Sequence, residues 1–315
     1  MAGLPKYAFF EGKIVPFSEA NVSIATHALH YGTGAFGGLR GYWNADKEEL
    51  YIFRPIDHFT RLLGSSKMLR MDLPYTPAQL VDILTELLRT ENMREDCYIR
   101  PLIYKATPTI GVRLHNLDDQ LAIFALPFGQ YLEKEEGLHV TISSWRRIDD
   151  NAIPARGKIT GAYINSALIV SDAKAAGFDD ALVLNEDGHI AEAAAANFFI
   201  VRDGVAITPP ITANILEGIT RRTVIQLLRE ELGVEVVERN IDRTELYICD
   251  EAFSCGTGYQ VAAVTRVDYR NIGTGVMGPL TSRLRDLYFD VVRGRKAKYT
   301  SWLVPVYHPL KEPVH

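Results

Sequence analysis

Apolar positions recur along this chain in two rhythms, and their spacing predicts its elements. Residues 7–10 and 13–15 are short apolar runs on either side of Glu11-Gly12, the pattern of a hairpin. Residues 39–43 read as a strand running to a turn at Asn44-Ala45-Asp46, and residues 50–53 as another strand. Asp57 is a candidate cap for a helix carrying Phe59, Leu62 and Leu63. A clearer helix follows Thr76-Pro77, because Leu80, Ile83, Leu84, Leu87 and Leu88 repeat at helical spacing behind a first-turn proline. Strands are expected at 98–104 and 120–126. Residues 127–137 lack periodicity and hold Glu133, Lys134, Glu135 and Glu136. They are read as a linker between a first domain, 1–126, and a second, 138–315.

Past the linker, residues 138–145 read as a strand and 164–176 as a helix stopped by Gly177. Two hairpins follow, one turning at Asp187-Gly188 and one at Asp203-Gly204, since Asp-Gly between apolar runs suits a tight turn. Helices are expected at 219–232, ended by Gly233, and at 279–293, ended by Gly294. Asp242-Arg243-Thr244-Glu245 resembles a capping box. The tail after Arg295, with Pro305, Pro309 and Pro313, is expected to be irregular. Strands joined mostly as hairpins imply an α+β or α/β chain with mixed or antiparallel sheets, not repeated βαβ units.

Composition narrows the function. At 315 residues, 47% hydrophobic and 23% charged, the chain is an ordinary globular protein of about two domains. Its formal charge of −5 lacks the basic excess of a nucleic-acid-binding domain. The cysteines, Cys97, Cys249 and Cys255, are odd in number and form no Cys-x-x-Cys pair, which argues for a reducing compartment. No run of about 18 apolar residues exists to span a membrane. Lys6, Glu11 and Lys13 interrupt the start, so no secretory h-region is read there. The expectation is a cytoplasmic protein with no nucleic-acid or membrane partner.

Several motifs fail on context. Gly32-Thr33-Gly34-Ala35-Phe36-Gly37 matches a dinucleotide-binding glycine run, and Asp57 stands 20 residues past Gly37. Such a site needs a strand before the glycines and a helix after, whereas a strand is expected after these. Gly157-Lys158 lacks the rest of a P-loop, with Ala152 at the first glycine position and Ile159 at the magnesium-binding hydroxyl. His27 and His30 have no third ligand nearby, so no metal is expected.

Pyridoxal phosphate needs an amine, an acid against its pyridine nitrogen, and donors around its phosphate. Glu217-Gly218-Ile219-Thr220-Arg221 opens a helix, where free N–H groups favour an anion, although a simple helix start has the same pattern. Cys255-Gly256-Thr257-Gly258 follows an apolar strand at 251–254 and is either an N–H-rich anion loop or a tight turn. Arg61 can grip phosphate through its fork or be an ordinary surface arginine. Glu192, ahead of four alanines and Asn197, is costly to bury unpaired. Spacing alone does not separate Lys158 from the other lysines.

Taken in order, His27 to Thr33, Tyr98-Ile99-Arg100-Pro101-Leu102, Ser143-Ser144-Trp145, Glu192 to Asn197, Gly218 to Arg221 and Ser254 to Thr257 resemble the fold-type IV pyridoxal-phosphate aminotransferases. The resemblance runs from about Tyr7 to Trp302 and is nearest the branched-chain amino acid aminotransferases of amino-acid biosynthesis. It implies a small α/β domain and a larger domain with a β pseudo-barrel, in a homodimer or larger homo-oligomer. The reaction implied is ping-pong transfer of an amino group between leucine, isoleucine or valine and 2-oxoglutarate.

By that resemblance Lys158 is the Schiff-base lysine and proton shuttle, and Glu192 faces the pyridine nitrogen. Arg61, Ile219, Thr220 and Thr257 hold the phosphate, Tyr163 bonds the phenolic oxygen, and Leu216, Gly218 and Gly256 complete the cofactor contacts. Tyr98 and the Thr257-Gly258 backbone receive the α-carboxylate. Arg100, Tyr31 and Tyr131 take a distal carboxylate. Phe36, Gly38, Arg40 and Phe128 line the pocket, with Tyr31 and Val112 arriving from the neighbouring subunit. Three departures suggest a broadened donor range: Gly37 where the family commonly has glutamate, the alanines at 193–196, and Tyr259-Gln260 after the threonine loop. A D-amino acid or (R)-amine aminotransferase and an aminodeoxychorismate lyase are the alternatives on this scaffold. A nicotinamide oxidoreductase or an inert binding module would be alternatives outside it.

Overall fold

The computed structural model describes residues 4–129, 134 and 137–308. Two compact units make up the chain. One comprises Met1–Gln130, Gly157–Gly161 and Asp290–His315, the other Tyr131–Arg156 and Ala162–Phe289. The sequence reading ran its second domain unbroken from 138 to 315. The first unit takes in 157–161 and 290–315.

The first unit is built on an antiparallel sheet. Its strands are β1 (Tyr7–Phe10), β2 (Lys13–Pro16), β3 (Gly34–Phe36), β4 (Leu39–Asn44), β5 (Glu49–Phe53), β6 (Cys97–Lys105) and β7 (Asp119–Pro127). β6 is central, pairing with β3, β4 and β7. Helix α1 (His27–Tyr31) precedes β3, so the glycine run sits behind a helix and within a strand, the reverse of a dinucleotide site. Helix α3 (Pro77–Glu91) starts at Thr76 with the full reciprocal capping box to Gln79. It buries Leu80, Leu84, Leu87 and Leu88 in the core with Phe9, Ile99 and Ile123, each worth about 1.5–3 kcal/mol when removed from water.

Two expectations need correction here. Helix α2 (Pro55–Met68) is capped at Arg54, not at Asp57. Pro55 suits the first helical position, and Arg54, with φ 47°, turns the chain into it; its Nε then pairs with Asp57 at 2.6 Å. The described part of the tail, residues 296–308, is not irregular: Leu303–Pro305 pairs antiparallel with β5, while Pro309 and Pro313 lie outside the described residues. The buried Glu49 carboxylate accepts from the backbone N–H groups of Val306, Tyr307 and His308 and ties the segment down.

In the second unit lie β8 (Leu138–Arg146), β9 (Asp180–Leu184), β10 (Ile190–Ala193), β11 (Asn197–Arg202), β12 (Val205–Thr208), β13 (Val236–Glu238), β14 (Glu251–Gly256) and β15 (Gln260–Val267). Their order is β10-β9-β8-β15-β14-β11-β12-β13. Parallel pairs join β8 to both β9 and β15, and β12 to β13, so the sheet is mixed. The expected mixed α/β fold is present, and where a β pseudo-barrel was expected the chain has a curled half-barrel sheet. At the β11–β12 turn both Asp203 (φ 52°) and Gly204 (φ 77°) are left-handed, as a two-residue hairpin turn demands. Helices α4 (Tyr163–Ala175) and α5 (Ile219–Glu230) fall on the helices expected at 164–176 and 219–232. No helix among the described residues is long and apolar enough to cross a membrane.

Candidate active site

In the first unit the candidates converge on Lys158. Its backbone is pinned from both sides: its N–H donates to Ser65 Oγ at 3.1 Å, and its carbonyl accepts from Phe36 N at 2.9 Å. Ser65 Oγ itself donates to the Arg61 carbonyl one turn back on α2, so Arg61 and Lys158 are joined through one hydroxyl. Beyond Lys158, Thr160 Oγ1 donates to Gly32 O at 2.7 Å and accepts from Gly34 N at 3.1 Å. Gly32 (φ 63°) lets Gly161 cross it, because a Cβ there would stand 2.6 Å from Gly161 Cα. The half-buried Lys158 Nζ lies 4.9 Å from the centroid of the Phe36 ring.

From Phe36 the site continues along one face of β4 and β6. The Arg100 guanidinium lies 4.7 Å from the Phe36 centroid, and its Nη2 donates to Tyr98 Oη at 3.1 Å. Tyr98 and Arg100 are two apart on β6, so they share a face, and Tyr98 is the register partner of Arg40 on β4. Phe128 packs its ring 5.4 Å from that of Tyr98 and 5.2 Å from the Arg40 guanidinium. Arg40, only 2% exposed, donates Nη2 to Gly129 O. The Nε atoms of Arg40 and Arg100 are buried with no hydrogen-bond partner among the described residues. Two guanidiniums and a phenol thus line an aromatic face that ends at an amine, an arrangement able to take an apolar chain and a carboxylate.

The remaining first-unit candidates behave differently. Tyr31 Oη accepts from Gly111 N at 3.1 Å, and Val112 is 90% exposed. No hydrogen bond or ring contact joins either to Tyr98 or Arg100 among the described residues. Tyr131 lies outside the described residues. His27 is a hydrogen-bonded histidine, with Nδ1 on Thr33 Oγ1 and Nε2 on Gly111 O, both at 2.8 Å.

The second unit gathers the acidic and anion-binding candidates. Glu192, on β10, is 4% exposed. Its Oε1 pairs with Arg147 Nη2 at 2.8 Å, and its Oε2 accepts from Asn197 Nδ2 at 3.1 Å and Leu216 N at 3.2 Å. Asn197 Nδ2 also donates to Leu216 O. Gly218 packs under this amide, since a Cβ there would stand 2.0 Å from Asn197 Oδ1. Gly218 is also the N-cap of α5 and offers no side-chain cap, so the N–H groups of the buried Ile219 and Thr220 open the helix. Asn197 pairs in register with Cys255, which leads to the half-exposed Gly256, Thr257 and Gly258 before Gln260 (φ 56°) turns the chain into β15. Tyr163 opens α4, half-buried.

Burial pushes the Cys255 thiol up to about 12, so it stays a neutral core group. Tyr259, one of the family departures, turns into the core and donates to Asp180 Oδ2 at 2.7 Å. Ala196 lies 3.6 Å from the position of a Gly256 Cβ, ordinary contact.

These residues fit a phosphorylated pyridine cofactor: a buried carboxylate held by a cation and two N–H donors, and a helix start free of side-chain caps. Sequence reasoning missed Ser65 and Arg147. Only the four-residue spacing from Arg61 on α2 pointed to Ser65, and nothing local singled out Arg147.

The model of the amino-transferase class IV family matches residues 43–267. The probable branched-chain-amino-acid aminotransferase of Aquifex aeolicus (strain VF5) is 48% identical over 301 residues, 96% of this chain and 97% of that protein. The solved branched-chain amino acid aminotransferase of Thermobaculum terrenum, in its PLP form, superposes at TM-score 0.92 with 41% identity, covering 96% of this chain and 99% of its own. The branched-chain aminotransferase of the thermophilic archaeon Thermoproteus uzoniensis, solved with norvaline, superposes at TM-score 0.92 with 40% identity, covering 96% of this chain and 100% of its own.

Proposed function

Because the chain belongs to the class IV aminotransferases, we propose that it is a pyridoxal-phosphate-dependent transaminase moving the amino group between branched-chain L-amino acids and 2-oxoglutarate. The observation that carries this reading is the single face running from Lys158 past Phe36 to Tyr98, Arg100 and Arg40. An aliphatic side chain finds aromatic rings there, and a dicarboxylate finds guanidinium donors whose Nε atoms have no partner among the described residues. The D-amino acid, (R)-amine and lyase alternatives are not favoured, since the relatives at 36–48% identity are branched-chain aminotransferases.

Pyridoxal phosphate, when bound, supplies an electron-withdrawing ring that accepts the electron pair left by the α-proton. The chain's residues do the rest. Lys158 Nζ holds the cofactor and carries the α-proton, its amine partly desolvated against Phe36. Glu192 keeps the pyridine nitrogen protonated. Arg61, Thr220, Thr257 and the Ile219 N–H hold the phosphate, with Leu216, Gly218 and Gly256 beside it, and Tyr163 bonds the phenolic oxygen. Tyr98 and the Thr257-Gly258 backbone orient the α-carboxylate, while Arg100, with Tyr31 and Tyr131, takes the distal carboxylate of glutamate. Phe36, Gly38, Arg40 and Phe128 shape the pocket.

The reading includes a homodimer. Ile24, Leu29, Ile110 and Val112 are exposed apolar side chains, and His30 Nε2 to Ile24 O and His27 Nε2 to Gly111 O tie their segments to α1. A second copy covers them and brings its own Tyr31 and Val112 to this chain's site. Three buried free thiols accord with a cytoplasmic setting.

Borohydride reduction followed by peptide mapping tests the core of the reading. The cofactor's mass is expected on the peptide containing Lys158, together with turnover of leucine and 2-oxoglutarate. Label on another lysine, or none, overturns it.

A further inference from the structure

Glu192 is buried, and its partners come from three places in the second unit. Asn197 stands five residues on, Leu216 supplies a backbone N–H, and Arg147 supplies the cation. Arg147 follows directly on β8, where its own N–H donates to Leu184 O. Its side chain is held by a second contact, Nε to Asn214 O at 2.9 Å. Asn214 has φ 55°, a left-handed backbone that asparagine tolerates. Its side chain ties down the 147–150 loop: Oδ1 accepts from Asp150 N, and Nδ2 donates to Asp149 Oδ2 and Asn185 Oδ1. One short stretch of backbone therefore aims a carbonyl from residue 214 at Arg147 and an N–H from residue 216 at Glu192. Neither donor on Oε2 carries charge, so the Arg147 guanidinium supplies the positive charge in this set. On β14, Cys255, the register partner of Asn197, is a buried neutral thiol.

Building on the proposed role of Glu192 toward the pyridine nitrogen, we infer that Arg147 is a positioning residue that keeps this carboxylate charged and aimed, with Asn214 locking the guanidinium in place. A buried carboxylate that loses its cation takes up a proton or turns away. Either change removes the charged acceptor from the pyridine nitrogen, so Arg147 acts on the chemistry through Glu192 without touching the cofactor.

The test uses the holoenzyme and three readouts: the pH titration of the cofactor's visible absorbance, the affinity of the apoenzyme for pyridoxal phosphate, and the split between kcat and KM. Arg147→Met is expected to move the titration midpoint by about one pH unit and to weaken cofactor affinity about tenfold. It should lower kcat about 100-fold with KM changed less than about twofold. Arg147→Lys should bring the midpoint back toward wild type, because it restores the charge. In a Glu192→Gln background Arg147→Met should cost less than about threefold more, since the two act as one unit.

A folded Arg147→Met protein with an unmoved midpoint and unchanged affinity overturns the inference. So does failure of Arg147→Lys to recover the midpoint, or multiplication of the two losses. Should Arg147→Met not fold, Arg147→Gln, which keeps a donor without the charge, decides by the same midpoint. Borohydride mapping of the wild type separates the two levels: if Lys158 is labelled and the midpoint does not move, only the role of Arg147 falls, whereas an unlabelled Lys158 removes the reading beneath it.

Discussion

Gly38 and Tyr98 are in steric register: a Cβ on residue 38 would stand 2.2 Å from the Tyr98 hydroxyl and 3.0 Å from its Cζ. The absent side chain is what lets the phenol reach Arg100 Nη2 at 3.1 Å. Gly38→Ala is therefore expected to swing the phenol away and lower kcat/KM about 10- to 100-fold. In a Tyr98→Phe background, where the nearest clashing atom is gone, the same substitution should cost far less. Steady-state kinetics on the four proteins check this, and equal costs in both backgrounds would refute the steric account.

Arg100 offers a fork on the same face as Tyr98, over the Phe36 ring. Arg100→Leu should reduce turnover of glutamate and 2-oxoglutarate about 100-fold while reducing that of leucine only a few-fold, because only the dicarboxylate needs the guanidinium. Half-reactions with each donor measure the two losses separately. Equal losses would remove Arg100 from the distal-carboxylate role.

Gly218 leaves room for the Asn197 amide, which bonds Glu192 and Leu216. Gly218→Ala places a methyl group 2.0 Å from Asn197 Oδ1, so the amide must move. A stability loss of about 1–3 kcal/mol and about tenfold weaker binding of pyridoxal phosphate are expected, read by thermal melting and by absorbance titration of the apoenzyme. Unchanged cofactor affinity would show that the amide contact has no bearing on the site.

Burial pushes the Asp180 carboxyl up to about 6, more than the Tyr259 hydroxyl bond lowers it. The folded chain then binds this proton more tightly than the unfolded chain. Its contribution to stability is full below pH about 4, the ordinary carboxyl range, and is lost as pH rises through about 6. Asp180→Asn abolishes the dependence, so the melting temperature of the variant minus that of wild type should rise between pH 4 and pH 7. A flat difference across that window would contradict the assignment.

Much of the local structure is legible in the residues themselves. Thr76-Pro77 and the leucines behind it predicted α3, and Asp203-Gly204 predicted a turn with two left-handed residues, because caps, turns and periodicity act within a few residues. Local rules give out in two places: the expected Asp57 cap yields to Pro55, and residues 303–305 of the expected irregular tail form a strand because β5 and the Glu49 carboxylate are there to receive them.

The ordered blocks of residues also pointed to an amine, an acid and an anion-binding helix start. Which neighbours prepare those groups was decided only in three dimensions. Ser65 comes under the Lys158 backbone from 93 residues away, and Arg147 meets Glu192 across 45. Neither pairing leaves a trace in spacing, because the cost of burying a charge or an N–H is met by whatever the packed sheets bring alongside it. The sequence by itself thus determined the elements and the kinds of chemistry present, while tertiary packing decided which side chain supports which.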